Sequence, residues 1–126
     1  MIRRIRLVTG IILFAFVASH LVNHVFGLFS LSAMEAGRGV FLAVWRTYVG
    51  TAALYLSLIA HILLAGWALY TRRSLRMSAG EAFQIVLGFS IPLLLALHIV
   101  GTRGAFEFAD TRDTYVYVLL AQWKYS

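Results

Sequence analysis

Three stretches without a single charged side chain dictate what this chain can become: Leu7 to Met34, Thr47 to Thr71 and Ala82 to Thr102. Each supplies the roughly 20 apolar residues that carry a helix across about 30 Å of hydrocarbon. Composition agrees. Of 126 residues, 61% are hydrophobic and 13% charged, with a mean hydropathy of +0.84; soluble domains run at about 45–50% apolar and about 25% charged. The expected fold is all-α, a polytopic transmembrane helix bundle forming one domain. Its spans are expected over about 5–31, 48–71 and 79–102, with a short outer interfacial helix over about 114–124. The opening MIRRIR and the apolar run behind it have the outline of a signal peptide. The run outlasts an h-region of about 7–15 residues, however, and Phe16–Val17–Ala18 is a poor cleavage site, so we read a retained first span.

The formal charge of +6 is a statement about orientation once it is mapped. Arg3, Arg4 and Arg6 precede the first span, and Arg72, Arg73 and Arg76 lie between the second and third. On the other side Arg38, Arg46, Arg103 and Arg112 are offset by Glu35, Glu107, Asp110 and Asp113. The positive-inside rule therefore puts the N-terminus and the TRRSLRM loop in the cytoplasm. Anionic lipid is the partner this charge implies, and nucleic acid is not. Zero cysteines exclude disulfides, iron–sulfur clusters and thioether-linked haem. In the connection MEAGRGVFLAVWRTYVG, Phe41, Trp45 and Tyr48 suit a segment at headgroup depth. Ser78 with Glu81 three residues on is a capping box for the third span. Pro92 is expected to kink that span. The uncharged stretch Thr114 to Trp123 is too short to cross and reads as interfacial.

Ionisable side chains in a membrane are costly and usually face the interior. All four histidines fall in the spans: His20 and His24 in the first, His61 in the second, His98 in the third. Helical steps of three and four residues line up His20, Asn23, His24, Gly27 and Ser30. The same steps align Gly50, Ser57, His61 and Ala65, and then Gln84, Gly88, Leu95, His98 and Thr102. Imidazoles converging from separate helices in an apolar setting fit axial ligation of haem b. Arg46 and Arg103 are placed to serve its propionates at the outer surface, and Asn23 and His24 to give polar support. Two other readings stay open. The histidines are interhelical hydrogen-bond partners in a cofactor-free structural anchor, or they belong to a metal or proton transporter, which favours acidic, cysteine or methionine ligands the spans lack.

The segments SHLVNH, LIAHILL and LLALHIVGTR resemble the dihaem cytochrome b membrane anchors of succinate dehydrogenase and fumarate reductase. MEAGRGVFLAVWR, LRMSAGEAFQIVLGFSIPLLLALHIVGTR and YVYVLLAQW look closer to the six-span anchors at the N-terminus of bacterial class III adenylate cyclases. The resemblance implies that His20 and His98 ligate one haem b. It also implies that His61 ligates a second, with a histidine of a later helix outside this chain. It further implies the first half of an anchor in a bacterial inner (cytoplasmic) membrane. The partners implied are quinone or quinol, further helices or a second subunit, and a cytoplasmic cyclase domain. No catalytic domain is expected within the 126 residues. One point is at odds with this assignment. Counted from the outer span ends, His98 matches the depth of His24 rather than His20, a difference of one turn or about 5.4 Å. His20 is the expected ligand and His24 the reserve, or a donor to a propionate or quinone.

Overall fold

Helix accounts for every regular element. The computed structural model describes residues 1–74, 76–112 and 114–125, and no strand occurs among the described residues. In order come α1 (Ile2–Phe26), α2 (Leu31–Trp45), α3 (Tyr48–Tyr70), α4 (Ala79–Ile99), a π-helical turn (Val100–Gly104), α5 (Ala105–Phe108) and α6 (Tyr115–Tyr125). Three helical stretches are long and apolar enough to cross a membrane: Ile2–Phe26, Tyr48–Tyr70 and the continuous Ala79–Phe108. The chain divides into two compact units, Met1–Thr71 and Arg72–Ser126.

Burial is inverted relative to a protein built for water. Among the described residues no hydrophobic side chain is buried, while Thr9, Asn23 and Ser57 are only 7%, 2% and 5% exposed. Lipid makes this the stable arrangement, because apolar side chains lose nothing by facing acyl chains and polar ones must find partners inside.

In the first unit the charge-free run from Leu7 breaks at residue 26, earlier than hydropathy implies. The amides of Leu28 and Phe29 bond back three residues, to Val25 and Phe26, tightening the chain out of α-helix. Ser30 then takes an extended conformation and its hydroxyl accepts from the Ala33 amide at 3.0 Å, starting a new helix. The connection expected to be a partly polar interfacial segment is thus a 15-residue helix. It folds back antiparallel along α1. Met34 packs at Gly27, Gly37 against Asn23 and Phe26, Phe41 against Phe16 and His20, and Trp45 against Phe16 and Ser19. Phe41 and Trp45 are therefore packing residues, whereas Tyr48 is fully exposed.

Thr47 caps α3 by accepting from the Gly50 amide at 2.9 Å, and the Thr51 hydroxyl donates to the Trp45 carbonyl at 3.1 Å. A Cβ at Gly50 would overlap the Val44 carbonyl, so glycine is what allows α2 and α3 to join this closely. Further along, His61 reaches Thr9 and Gly10. With Trp45, the last residue of α2 and three residues before α3 begins, beside Phe16 and Ser19, this makes α3 antiparallel to α1.

In the second unit the expected capping box forms. The Ser78 hydroxyl accepts from the Glu81 amide at 3.3 Å, and the Glu81 carboxylate accepts from the Ser78 amide at 2.8 Å. Arg72 donates to that carboxylate at 3.1 Å and to the Ser74 carbonyl at 3.0 Å, tying the arginine loop to the first turn of α4. Helix α4 is continuous through Pro92, and the change in backbone winding comes after His98, at the π turn. Asp110, at φ 49°, takes the left-handed conformation that aspartate tolerates. Thr114 caps α6, accepting from the Tyr117 amide at 3.2 Å. Asp113, expected among the outer charges, lies outside the described residues.

The two glycines of α2 separate packing from propensity. A Cβ at Gly37 would collide with Asn23 Oδ1 and the Phe26 ring, while one at Gly39 would meet nothing within 4 Å. Gly37→Ala is expected to destabilise the first unit by about 1–3 kcal/mol through overpacking. Gly39→Ala should be neutral or stabilise by up to about 1 kcal/mol through helix propensity. Thermal unfolding of both variants in mild detergent checks this, and equal midpoints would contradict the α1–α2 contact.

Candidate functional site

The stripe read from α1 is a real seam, and it holds a pair of imidazoles. His20 and His24 stand one turn apart with Nε2 atoms 3.2 Å from each other and rings edge-to-face at a centroid distance of 4.6 Å and 81°. Such a bond needs a proton on one nitrogen and a bare lone pair on the other. The His20 ring is half-buried. It lies parallel to Phe16 at 5.9 Å and 7°, and Phe41 of α2 flanks it at 5.6 Å. His24 is exposed.

Below the pair, the Trp45 indole N–H donates to the Ser19 hydroxyl at 3.1 Å. Ser19 in turn donates to the carbonyls of Ala15 or Phe16, at 2.8 and 2.9 Å. Phe16, Phe41 and Trp45 form one aromatic cluster, with Phe16 5.3 Å from Phe41 and 5.2 Å from Trp45. Between the two histidines along α1, Asn23 is buried where Gly37 brings the backbone of α2 close. The stripe expected from the sequence holds His20, Asn23, His24, Gly27 and Ser30; Ser30 instead caps α2, Phe16 and Ser19 lie outside that stripe, and Phe41 and Trp45 are expected only as headgroup aromatics. Extending the same three- and four-residue steps down α1 reaches Phe16, and Phe41 with Trp45 are themselves one turn apart on α2.

His61 faces inward, as its stripe predicts, but its partner is a hydroxyl. His61 Nδ1 lies 3.1 Å from Thr9 Oγ1, and Thr9 also bonds the carbonyls of Ile5 at 2.9 Å and Arg6 at 3.1 Å. A hydroxyl has one proton. When that proton goes to a carbonyl, His61 Nδ1–H donates to Thr9 and Nε2 keeps its lone pair. Gly10 makes room, since a Cβ there would stand 3.3 Å from His61 Cε1. Ser57, one turn earlier on this face, is buried.

The second unit carries His98 on an exposed face of α4, one turn before Thr102, whose hydroxyl donates to the His98 carbonyl at 2.6 Å. Arg103 pairs with Glu107 at 2.8 Å. In the first unit, Arg46 closes α2, its amide donating to the Leu42 carbonyl at 2.9 Å. Among the described residues no three His, Asp or Glu side chains gather as a metal-binding group. Compared with known proteins, the chain matches no family model, no curated protein and no solved structure.

The Thr9–His61 bond is open to a direct energetic test. A double-mutant cycle of Thr9→Val and His61→Phe, read by unfolding in detergent, should give a coupling of about 0.6 kcal/mol, the average for bonds between membrane helices. Zero coupling would mean that the two side chains do not stabilise one another.

Proposed function

We propose that this chain is a haem b-binding membrane anchor that carries electrons or senses the redox state of a quinone, with axial ligands drawn from His20, His61 and His98. The observation that carries the reading is the setting of His20. An imidazole sits on the packed face of a membrane helix with the rings of Phe16 and Phe41 on its flanks, the apolar surroundings a porphyrin favours. The donor set fits the group. Every span contributes imidazole and the sequence has no thiol, so histidines would hold the iron. When bound, haem supplies one-electron chemistry.

The roles of the side chains follow. His20 offers Nε2, and His24 must release its bond to that atom before iron can take it. His24 then serves as the reserve ligand, or as donor to a propionate or quinone. Asn23 holds α1 to α2 beside it. His61, anchored through Nδ1 on Thr9, has the second-sphere arrangement that orients a metal-binding imidazole and leaves Nε2 for the metal. A partner for it comes from outside this chain. His98 is the ligand of the second unit. Arg46 and Arg103 are the propionate partners, Arg103 by exchanging its bond to Glu107.

In this reading the N-terminus and the loop of Arg72, Arg73 and Arg76 face the cytoplasm of a bacterial inner membrane. In the sensing form, a change in the redox state of bound haem would bias the helices and through them a cytoplasmic effector, with a class III adenylate cyclase domain the one the sequence resemblance favours. An anchor subunit of a succinate dehydrogenase-like complex is the electron-carrying variant of the same reading. The Thr9–His61 bond favours a second reading, a cofactor-free structural anchor in which histidine joins helices.

A reduced-minus-oxidised visible spectrum, with pyridine haemochrome quantification, separates the two. Chain purified after ample haem supply should carry about one bis-histidine b-type haem, and His20→Ala or His98→Ala should remove it. Unchanged haem content in both variants would overturn the ligand assignment. A colourless wild-type chain would leave the structural anchor standing.

A further inference from the structure

We propose that the His20–His24 pair of the haem-free chain is a chelating site for one divalent late first-row metal ion, of which zinc is the type. The distance is the argument. Two bonds of about 2.0–2.1 Å at a tetrahedral metal set their nitrogens about 3.3 Å apart, and the two Nε2 atoms stand 3.2 Å apart. Imidazoles at i and i+4 on one helix face are a recurrent way of presenting two nitrogens to one ion.

The rings are held for this task. Phe16 stacks on His20 and Phe41 flanks it, so the inner ligand keeps its rotamer, while exposed His24 opens the site to solvent. Binding breaks the bond between the two Nε2 atoms: the ring that donated shifts to its Nδ1–H tautomer, so both rings stay neutral and each offers an Nε2 lone pair to the metal. Two neutral imidazoles select zinc, nickel or copper over magnesium and calcium, which prefer oxygen. Among the described residues no third His, Asp or Glu completes the set, so water fills the remaining positions and the ion exchanges. The inference goes beyond the haem reading and does not need it. Should both hold, the ion and haem compete for His20 Nε2, and metal bound first blocks haem loading.

The test is calorimetric titration of zinc chloride into purified, haem-free full-length chain in mild detergent. Wild type and His61→Ala should each take up one zinc ion per chain, and magnesium should give no heat of binding. Replacing two-point by one-point attachment in His24→Ala, His24→Gln or His20→Ala should weaken zinc binding by at least about tenfold. Binding by both His24 variants as tight as wild type, at unchanged helicity by circular dichroism, would overturn the proposal. So would a folded wild-type chain that takes up no zinc. Haem content measured on the same samples keeps the two proposals apart. A colourless chain that binds zinc loses only the haem reading, and a haem protein whose haem-free form ignores zinc loses only this one.

Discussion

The first unit depends on one seam of α1, the line running from Thr9 through Phe16, Ser19, His20 and Asn23 to Gly27. In hydrocarbon there is no hydrophobic force to press helices together, since a leucine is as well solvated by lipid as by another leucine. What remains is close packing and the need of each polar group for a partner. Both are concentrated on this line. Its lower part receives α3 through Thr9 and His61, and its upper part receives α2 through Ser19, Asn23 and Gly27. Two helices thus share one face of a third at successive depths, which leaves the remainder of α1 to lipid. That is why Leu7, Phe14, Leu21 and Val22 of α1 are exposed while its polar Thr9 and Asn23 are buried.

Helix α2 gives the seam its chemistry. A plain hairpin of α1 and α3 would leave the upper histidines on an open face. By turning back at Gly27 and Ser30, the chain lays Phe41 and Trp45 over Phe16 and His20. Three glycines make the path passable. Gly27 lies under Met34, Gly37 admits Asn23 and Phe26, and Gly50 clears the Val44 carbonyl where α2 hands over to α3. Each sits where a backbone or a bulky side chain must come closer than a Cβ allows. The Glu35–Arg38 pair on the same helix, at 2.6 Å and about a quarter exposed on each side chain, neutralises two charges that α2 would otherwise carry singly toward lipid.

The sequence was informative where the physics is local and silent where it is not. Three spans were legible, because absence of charge over some twenty residues is a property of the run itself. The Ser78–Glu81 box was legible for the same reason, its two partners being three residues apart. Hydropathy could not see the break at residue 26, since Gly27 to Ser30 are as uncharged as their neighbours. The signal lay in the capping serine, and with it went the existence of α2 as a helix. Phe41 and Trp45 suit headgroup depth by residue type, and their packing on Phe16 and His20 could not be read from the sequence because it depends on where α2 lies against α1. Helical spacing identified the inward faces of His20, Asn23 and His61. It could not identify Thr9 as the partner of His61, which is 52 residues away in sequence.

The histidines of the first unit show how one side chain takes two roles through its partner alone. His61 bonds a hydroxyl that is itself anchored on a backbone carbonyl, and such chains of hydrogen bonds strengthen each member. Thr9 keeps its bonds to the Ile5 and Arg6 carbonyls whatever His61 does, so the His61 bond ties α3 to a hydroxyl that is already fixed on α1. The His20–His24 bond joins two side chains of the same kind, and His24 has water or headgroups within reach to take over when the bond opens. Losing it strands little, because neither imidazole needs the other to hold the helices together. The exchangeable nitrogen in the unit is therefore the Nε2 between these two residues. In the proposed readings, a haem iron or a free metal ion would compete for one or both of these Nε2 atoms.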